Sequence, residues 1–291
     1  LNYIEPAMTE EMRLEMLRSF GLDRPLDEQY VLYLINLLRG ELGVSFLHGR
    51  PVGTMVIDAL PNTVVLTLTA LIVAYGFGVI AGAWIAWKRG TVAEGIAIPL
   101  VLTTRAAPEF WLGMLMLAVF AFGLGWFPSG GAASAGAEFA GTLDRYLSAD
   151  FLHHLALPAL TLAVYLQGLP LLLMRSTMLE VMGDEFVTMA RMKGLSEWTI
   201  VIRHAARNAL LPVATAFPLG VGGSVGGNVV IETVFSWPGL GRTLVNAVQG
   251  ADYPLAQGAF LVIAAVLVGM NLVADLLYSW LDPRVSHGRR H

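Results

Sequence analysis

The chain of 291 residues is 56% apolar and only 14% charged, with 18 Lys and Arg against 22 Asp and Glu for a formal net charge of −4. Its mean hydropathy of +0.64 excludes an ordinary soluble domain of this length and marks an all-α integral membrane protein. Zero cysteines exclude disulfides, thiolate metal sites and Fe–S ligation, and the few cations, split among short loops, exclude a nucleic-acid-binding surface.

Residues 1–60 read as two small amphipathic helices ahead of any apolar span. Thr9 caps the first, with Glu10 and Glu11 in its first turn, Met12, Met16 and Phe20 along one face, and Gly21 at its end. Asp27 opens the second, where Tyr30, Leu34 and Leu38 repeat at four-residue steps before Gly40 closes it. The pair could form a platform for an external partner or could cap the helices that follow.

Five apolar runs are long enough to cross about 30 Å of hydrocarbon at roughly 20 residues each. They lie at residues 63–87, 107–127, 154–174, 209–231 and 257–281. If they alternate in direction, Lys88 and Arg89, the cations from Arg175 to Arg207, and Arg284, Arg289 and Arg290 all fall on one side, which is then cytoplasmic. The opposite side receives residues 1–60, 128–153 and 232–256, and the first of these holds nine acids against five arginines.

Before the second run, Arg105 and Glu109 flank Pro108 and could pair at the inner boundary, with the proline breaking the helix there. Residues 128–153 are rich in Gly, Ala and Ser and read as a variable outer loop. His153 and His154 at its end make a poor metal site, because neighbours on a helix point about 100° apart.

The stretch at residues 185–212, EFVTMARMKGLSEWTIVIRHAARNALLP, is the one long cationic segment between apolar spans. Glu180, Asp184 and Glu185 lie near its start and Arg191 and Lys193 end its first half, which complements a helix dipole at both ends. Gly194 supplies a stop, and Ser196 caps a second helix with Glu197 in its first turn. The segment therefore predicts helix, glycine turn, helix; it is a lever held off the membrane, or else a basic loop that sets topology. In the fourth run, Pro212 and Pro218 precede glycines at 220, 222, 223, 226 and 227, a combination that suits a pathway-lining span as well as tight packing.

The loop after it reads IETVFSWPGLGRTLVNAVQGADYP. Trp237-Pro238-Gly239 is a turn signal, in which proline presets one central residue and glycine admits positive φ at the next. Trp237 and Tyr253 also suit a membrane interface. Asn271 and Asp275 share one face of the last run and read as polar packing contacts rather than a proton relay.

Ala190-Arg191-x-Lys193-Gly194-Leu195-Ser196 resembles the cytoplasmic coupling loop of ABC-importer permeases. KGLS followed by RHAARNALLP resembles the branch that imports dipeptides, oligopeptides and nickel, and its B-type permeases in particular. GLDRPL at 21–26, GELGVS at 40–45, the Glu232–Gly241 stretch and NLVADLLYSWLDPR resemble the same family in the same order. Thr188 and Met189 depart from it, standing where many permeases carry Glu-Ala.

The resemblance implies a polytopic helix bundle of the type I ABC importer kind in the bacterial inner membrane. It implies an extracytoplasmic helical segment at 1–60, a permease domain at 61–291, a coupling loop at about 176–208 and an outer loop at about 232–256. The coupling residues would be Glu185, Ala190, Arg191, Lys193, Gly194, Leu195 and Ser196. Glu232, Phe235, Trp237, Pro238, Gly239 and Gly241 would fold back toward the pathway. An N-terminal sixth span is expected ahead of residue 1, which would deliver 1–60 to the outer face. The implied partners are a second, similar permease, one or two cytoplasmic ATPases carrying ATP and Mg, an extracytoplasmic substrate-binding protein, and membrane lipid.

The residues themselves carry no G-x-x-x-x-G-K-[ST] phosphate loop and no H-E-x-x-H helix, so energy must come from a partner and no enzyme reading stands. The competing classes are a secondary transporter with its coupling ion on Asp275 or Glu109, and a non-transporting scaffold.

Overall fold

The computed structural model describes residues 24–225 and 228–281. The expected first amphipathic helix, and residues 226 and 227 of the glycine-rich run, lie outside them. Among the described residues the chain is helical, and its sole strand-like feature is an isolated bridge between Val44 and Pro51.

Helix α1, Leu26–Leu38, starts behind Pro25 with Asp27 and Glu28 in its first turn and buries none of its residues. The chain then turns at Gly40, whose φ of +80° needs a glycine. Helix α2, Val52–Trp87, runs 36 residues, contains an 18-residue stretch of mean hydropathy 2.3, and ends at the charged Lys88 and Arg89. It is the spine of the fold. Near its start Val52, Val56 and Ala59 pack with Leu240, Ala247, Leu255 and Ala259. Farther along, Leu66 and Ala70 meet Phe151, Leu157, Ile231, Phe235 and Trp237. Beyond those, Leu71, Tyr75 and Ala86 join Met174, Met178, Val201, Ala205 and Val213.

The second expected span has a different form. Helix α3, Val92–Ala106, and helix α4, Glu109–Met116, which continues as a π-helical turn over Leu117–Gly123, meet at an angle of 107°. Pro108 removes an N–H and disfavours helical geometry at Ala107, whose ψ is 142°. Each limb has about 15 residues, or about 22 Å, and falls short of a full crossing alone. Glu94, Pro99 and Arg105 interrupt the apolar pattern of α3, so hydropathy alone marks no span there.

Short helix α5, Thr142–Leu147, leads to α6, Ala149–Leu166, capped by Ser148, whose Oγ accepts from the Phe151 N–H. Helix α7, Gly168–Val181, follows after Gln167 and lies close along α2. A Cβ on Gly82 would stand 2.4 Å from the Leu171 carbonyl oxygen, so this approach requires glycine.

Helices α8, Glu185–Met192, and α9, Glu197–Thr199, precede a π-helical stretch over Ile200–Ala205 and then α10, Ala206–Val225. Helices α11, Val229–Val234, α12, Leu240–Gln249, and α13, Tyr253–Leu281, complete the described chain. The fourth expected span is thus α10 and α11 on either side of residues 226 and 227.

Three described helices are long and apolar enough to cross a membrane, or four if the bent α3–α4 pair counts as one span. Ile72, Phe77 and Ile80 on α2 and Val268, Leu272 and Leu276 on α13 are exposed. Such rows match hydrocarbon rather than water.

Candidate functional site

Two polar structures stand at opposite ends of α2. The first is the polar segment after α7. Helix α8 ends where Gly194 takes φ +77°, with the Gly194 N–H donating to the Arg191 carbonyl at 2.9 Å and the Leu195 N–H to that of Ala190 at 3.3 Å. Ser196 then caps α9, its Oγ accepting from the Thr199 N–H at 3.3 Å.

Arg191 reaches across the turn to Glu197 as a fork, Nε to Oε1 at 2.8 Å and Nη2 to Oε2 at 3.4 Å. The guanidinium hydrogen bond holds the Glu197 carboxyl below its usual range, and the carboxylate in turn raises Arg191. The helix, glycine turn, helix expected from sequence is present.

Its faces differ in what they do. Val187, Ala190 and Ile200 are buried together beside Met182, so Ala190 fastens the turn from within. Glu185, Arg191, Lys193, Gly194, Leu195 and Ser196 are exposed, together with the large apolar side chains Phe186, Met189 and Met192. Trp198 packs edge-on against Trp87 at the end of α2, with ring centroids 5.9 Å apart, and Lys88 Nζ lies 4.9 Å from the Trp87 ring centroid. A displacement of this turn is therefore linked to the spine helix.

The second structure is built around Glu232, whose carboxylate is wholly buried. Its Oε1 accepts from Thr63 Oγ1 at 2.6 Å and its Oε2 from the Arg242 N–H at 2.9 Å. Thr63 Oγ1 in turn accepts from the Leu240 N–H at 2.8 Å, at the start of α12. Beside this, Trp237 Nε1 donates to the Asn62 carbonyl at 3.0 Å, Asn62 Nδ2 donates to the Pro238 carbonyl at 2.8 Å, and the Tyr146 hydroxyl donates to Asn62 Oδ1 at 3.0 Å. The loop after α11 is thereby sewn to α2 by two consecutive polar residues.

This geometry corrects two sequence expectations. Gly239 does not take positive φ: its φ is −97°, and the left-handed residue of the turn is Ser236 at +50°. Gly239 is needed for space, because a Cβ there would stand 2.3 Å from the Glu232 carboxyl carbon. Trp237 is buried rather than facing an interface, whereas Tyr253 is exposed. Phe235 and Gly241 are buried as well, and Pro238 is half-buried.

Asn62 and Thr63 were missed as site residues. Their one local trace is a polar pair at the head of an apolar run. A parallel clasp holds Asp252, which accepts from Ser45 Oγ and from the N–H groups of Phe46 at 3.1 Å and Leu47 at 3.2 Å.

Arg105 and Glu109 form no ion pair among the described residues, because the bend at Pro108 turns them apart. Arg105 lies over Gly168 and lines a cavity of about 230 Å³ with Tyr75 and Tyr165, and Glu109 Oε1 is buried without a hydrogen-bond partner. His153 Nε2 contacts the Trp126 carbonyl at 2.8 Å and His154 Nδ1 the Asp150 carbonyl at 2.9 Å. No cluster of His, Asp and Glu suited to a metal occurs among the described residues.

A family model described as "Binding-protein-dependent transport system inner membrane component" matches residues 78–287. The chain belongs to this family. The match takes in the α8–α9 turn and Glu232 with the loop after it, while Asn62 and Thr63 lie ahead of it.

Among similar proteins, the di/tripeptide transport system permease DppB of Pseudomonas aeruginosa (strain UCBPP-PA14) is 36% identical, covering 98% of this chain and 88% of that protein. The dipeptide permease DppB of Escherichia coli (strain K12) is 34% identical over 97% of the chain and 88% of the protein. The oligopeptide permease AppB of Bacillus subtilis (strain 168) is 35% identical over 98% and 88%.

The fold is similar to that of an inward-facing MetNI methionine ABC transporter chain, at TM-score 0.57 and 14% identity over 78% of this chain and 96% of that one. A second likeness is to an amino acid ABC transporter crystallised with histidines, at TM-score 0.51 and 16% identity over 79% and 94%. This family member is a non-catalytic permease subunit of an ABC importer, and ATP hydrolysis belongs to separate subunits. Those assignments set aside the secondary-transporter and scaffold readings.

Proposed function

We propose that this permease carries short peptides, pairs with a second, similar permease chain, and docks one or two cytoplasmic ATPases through the α8–α9 turn. Relatives at 34–36% identity that are named for dipeptides, di/tripeptides or oligopeptides support the substrate class.

The observation that carries the docking role is the division of labour in the turn. Val187, Ala190 and Ile200 lock it from inside while Phe186, Met189, Met192 and Lys193 stand outward, an apolar and cationic knob on a short rigid lever. Glu185, Arg191, Gly194, Leu195 and Ser196 complete its exposed side. ATP and Mg bind the ATPases, whose closure draws on the turn and, through Trp198 and Trp87, on α2.

In this reading the basic loops are cytoplasmic, residues 1–60 and 61–291 form the outer segment and the permease domain, and the outer face receives substrate from an extracytoplasmic binding protein. The loop from Glu232 through Phe235, Trp237, Pro238, Gly239 to Gly241 then borders the outer end of the pathway, fixed to α2 by Asn62 and Thr63.

The test is to tag the chain, extract it in mild detergent, and reconstitute whatever co-purifies into vesicles. A second permease and P-loop ATPases in the eluate, with uptake of a labelled dipeptide that requires ATP, are the expected result. Uptake by the chain alone, persisting without ATP, overturns the proposal.

A further inference from the structure

Three segments far apart in sequence, each read as outer, send one arginine apiece into the same cleft. Arg50 comes from the segment before α2, Arg145 from α5 and Arg242 from α12, and with Asp58, Asn62 and Asn246 they line an open space of about 350 Å³. The convergence stands out against the charge of these segments. Residues 1–60 hold nine acids against five arginines, and Arg145 and Arg242 are the only Lys or Arg in residues 128–153 and 232–256. Three of the seven arginines in these otherwise acidic segments meet at one concave place, where field lines focus.

The internal partners leave this charge largely uncompensated. Arg50 pairs with Asp58 at 3.2 Å, an exposed contact that neutralises one guanidinium. Arg242 spends Nη1 on the Ser236 carbonyl, which carries no full charge. Arg145 donates no side-chain hydrogen bond to the described residues; its guanidinium rests over Tyr146 and Phe151, at 5.5 and 5.9 Å from the ring centroids. The neighbouring carboxylate, Glu232, is sealed behind Gly239 with its oxygens bonded to Thr63 and the Arg242 N–H. Guanidinium forks on an open cleft match a carboxylate presented from outside.

We propose that this arginine cleft is where the extracytoplasmic binding protein seats a surface Asp or Glu on the permease. The inference rests on the reading above that such a protein delivers substrate to this face. The cleft opens to solvent, and its rim is the Pro238–Gly239 turn. A docked carboxylate therefore presses on the same loop that the Glu232 clasp fixes to α2.

The test uses the complete transporter in lipid nanodiscs and the binding protein encoded beside it, with ATP hydrolysis followed as that protein is titrated. R145E should raise the concentration for half-maximal stimulation about ten-fold and flatten its dependence on ionic strength, while the maximal stimulated rate is retained. R145K should stay within about three-fold of the parent.

R145K also allows a direct reading, since the chain's two lysines, Lys88 and Lys193, both fall on the side read as cytoplasmic. A water-soluble carbodiimide, itself converted to its urea, should condense the new amine with an Asp or Glu of the binding protein into an amide that mass spectrometry locates. An R145E titration identical to the parent, or an R145K amide found on another subunit, overturns the proposal. A parent transporter that no concentration of binding protein stimulates instead overturns the delivery reading on which it rests.

Discussion

Gly239→Ala is expected to unlatch the loop after α11 through one methyl group. The backbone at Gly239 has φ −97°, which alanine adopts freely, so the effect must come from contact alone. The added Cβ would lie 2.3 Å from the Glu232 carboxyl carbon and 2.4 Å from each of its oxygens.

Glu232 cannot swing aside without cost, because Thr63 Oγ1 and the Arg242 N–H hold its oxygens at 2.6 and 2.9 Å and the side chain is wholly buried. Overpacking of this kind costs about 1–3 kcal/mol. Each hydrogen bond to the carboxyl that is lost in relief adds about 0.5–1.5 kcal/mol. A total of roughly 3–5 kcal/mol is expected, enough to lower the temperature at which half the detergent-solubilised protein remains monodisperse by about 10 °C at a fixed heating rate.

Gly76→Ala is the control, since nothing lies within 4 Å of its added Cβ, and it should be neutral or slightly stabilising. Glu232→Ala should itself destabilise by leaving the Thr63 and Arg242 donors without their acceptor. The double variant should then be markedly less damaging than the sum of the two, since the methyl no longer meets a carboxylate. A Gly239→Ala protein as stable as the parent, or strict additivity in the double variant, would refute the reasoning.

The same geometry sets the other expectations. Gly194→Pro demands φ near −65° where the backbone sits at +77° and deletes the N–H that bonds the Arg191 carbonyl, so the chain should still insert but lose ATPase co-purification and ATP-dependent uptake at least ten-fold. Gly194→Ala meets no atom within 4 Å and should lose only the roughly 1–2 kcal/mol of a left-handed alanine, a difference visible in parallel pull-downs. Trp237→Phe removes the donor to the Asn62 carbonyl and leaves a void in a fully buried site, which should cost about 1–3 kcal/mol in thermal stability. At Asp252, burial alone would raise the carboxyl, but donation from Ser45 Oγ and from the Phe46, Leu47 and Leu255 N–H groups outweighs it and the pKa is lowered. The Ser45–Asp252 clasp therefore contributes stability above the ordinary carboxylate range and loses it only as pH falls through that depressed value; protease protection of residues 44–51 should persist at pH 5 in the parent and be weakened at every pH in Asp252→Asn.

Local chemistry accounts for what the sequence disclosed. Gly194 and Ser196 carry their roles within a few residues of themselves, as a left-handed stop and a hydroxyl cap, so helix, glycine turn, helix could be read without knowing any neighbour. Hydropathy likewise marked α2 and α13, whose length alone spans the hydrocarbon. It gives no span at α3, where Glu94 and Arg105 interrupt the pattern, and it marks α4 without its direction, which Pro108 sets at 107° and which is not a property of composition. Glu94 is not a break in function at all, since it receives Arg175 of α7 across 81 residues and so ties two helices together.

The outer clasp was legible only as a list of residues, and their meaning was not. Glu232 needs Thr63 at a separation of 169 residues, and the Pro238 carbonyl needs Asn62 at 176. No spacing rule reaches so far. Gly239 could be justified by a turn it does not make, because a glycine required by a neighbour's carboxylate and one required by positive φ are the same letter in the sequence. The arginine cleft follows the same logic. Arg50, Arg145 and Arg242 are unremarkable charges in three acidic segments until α2, α5 and α12 are brought together. The face's electrostatics therefore depends on the latch beside it, and any variant that frees the Pro238–Gly239 turn should draw Arg242 away from Arg50 and Arg145.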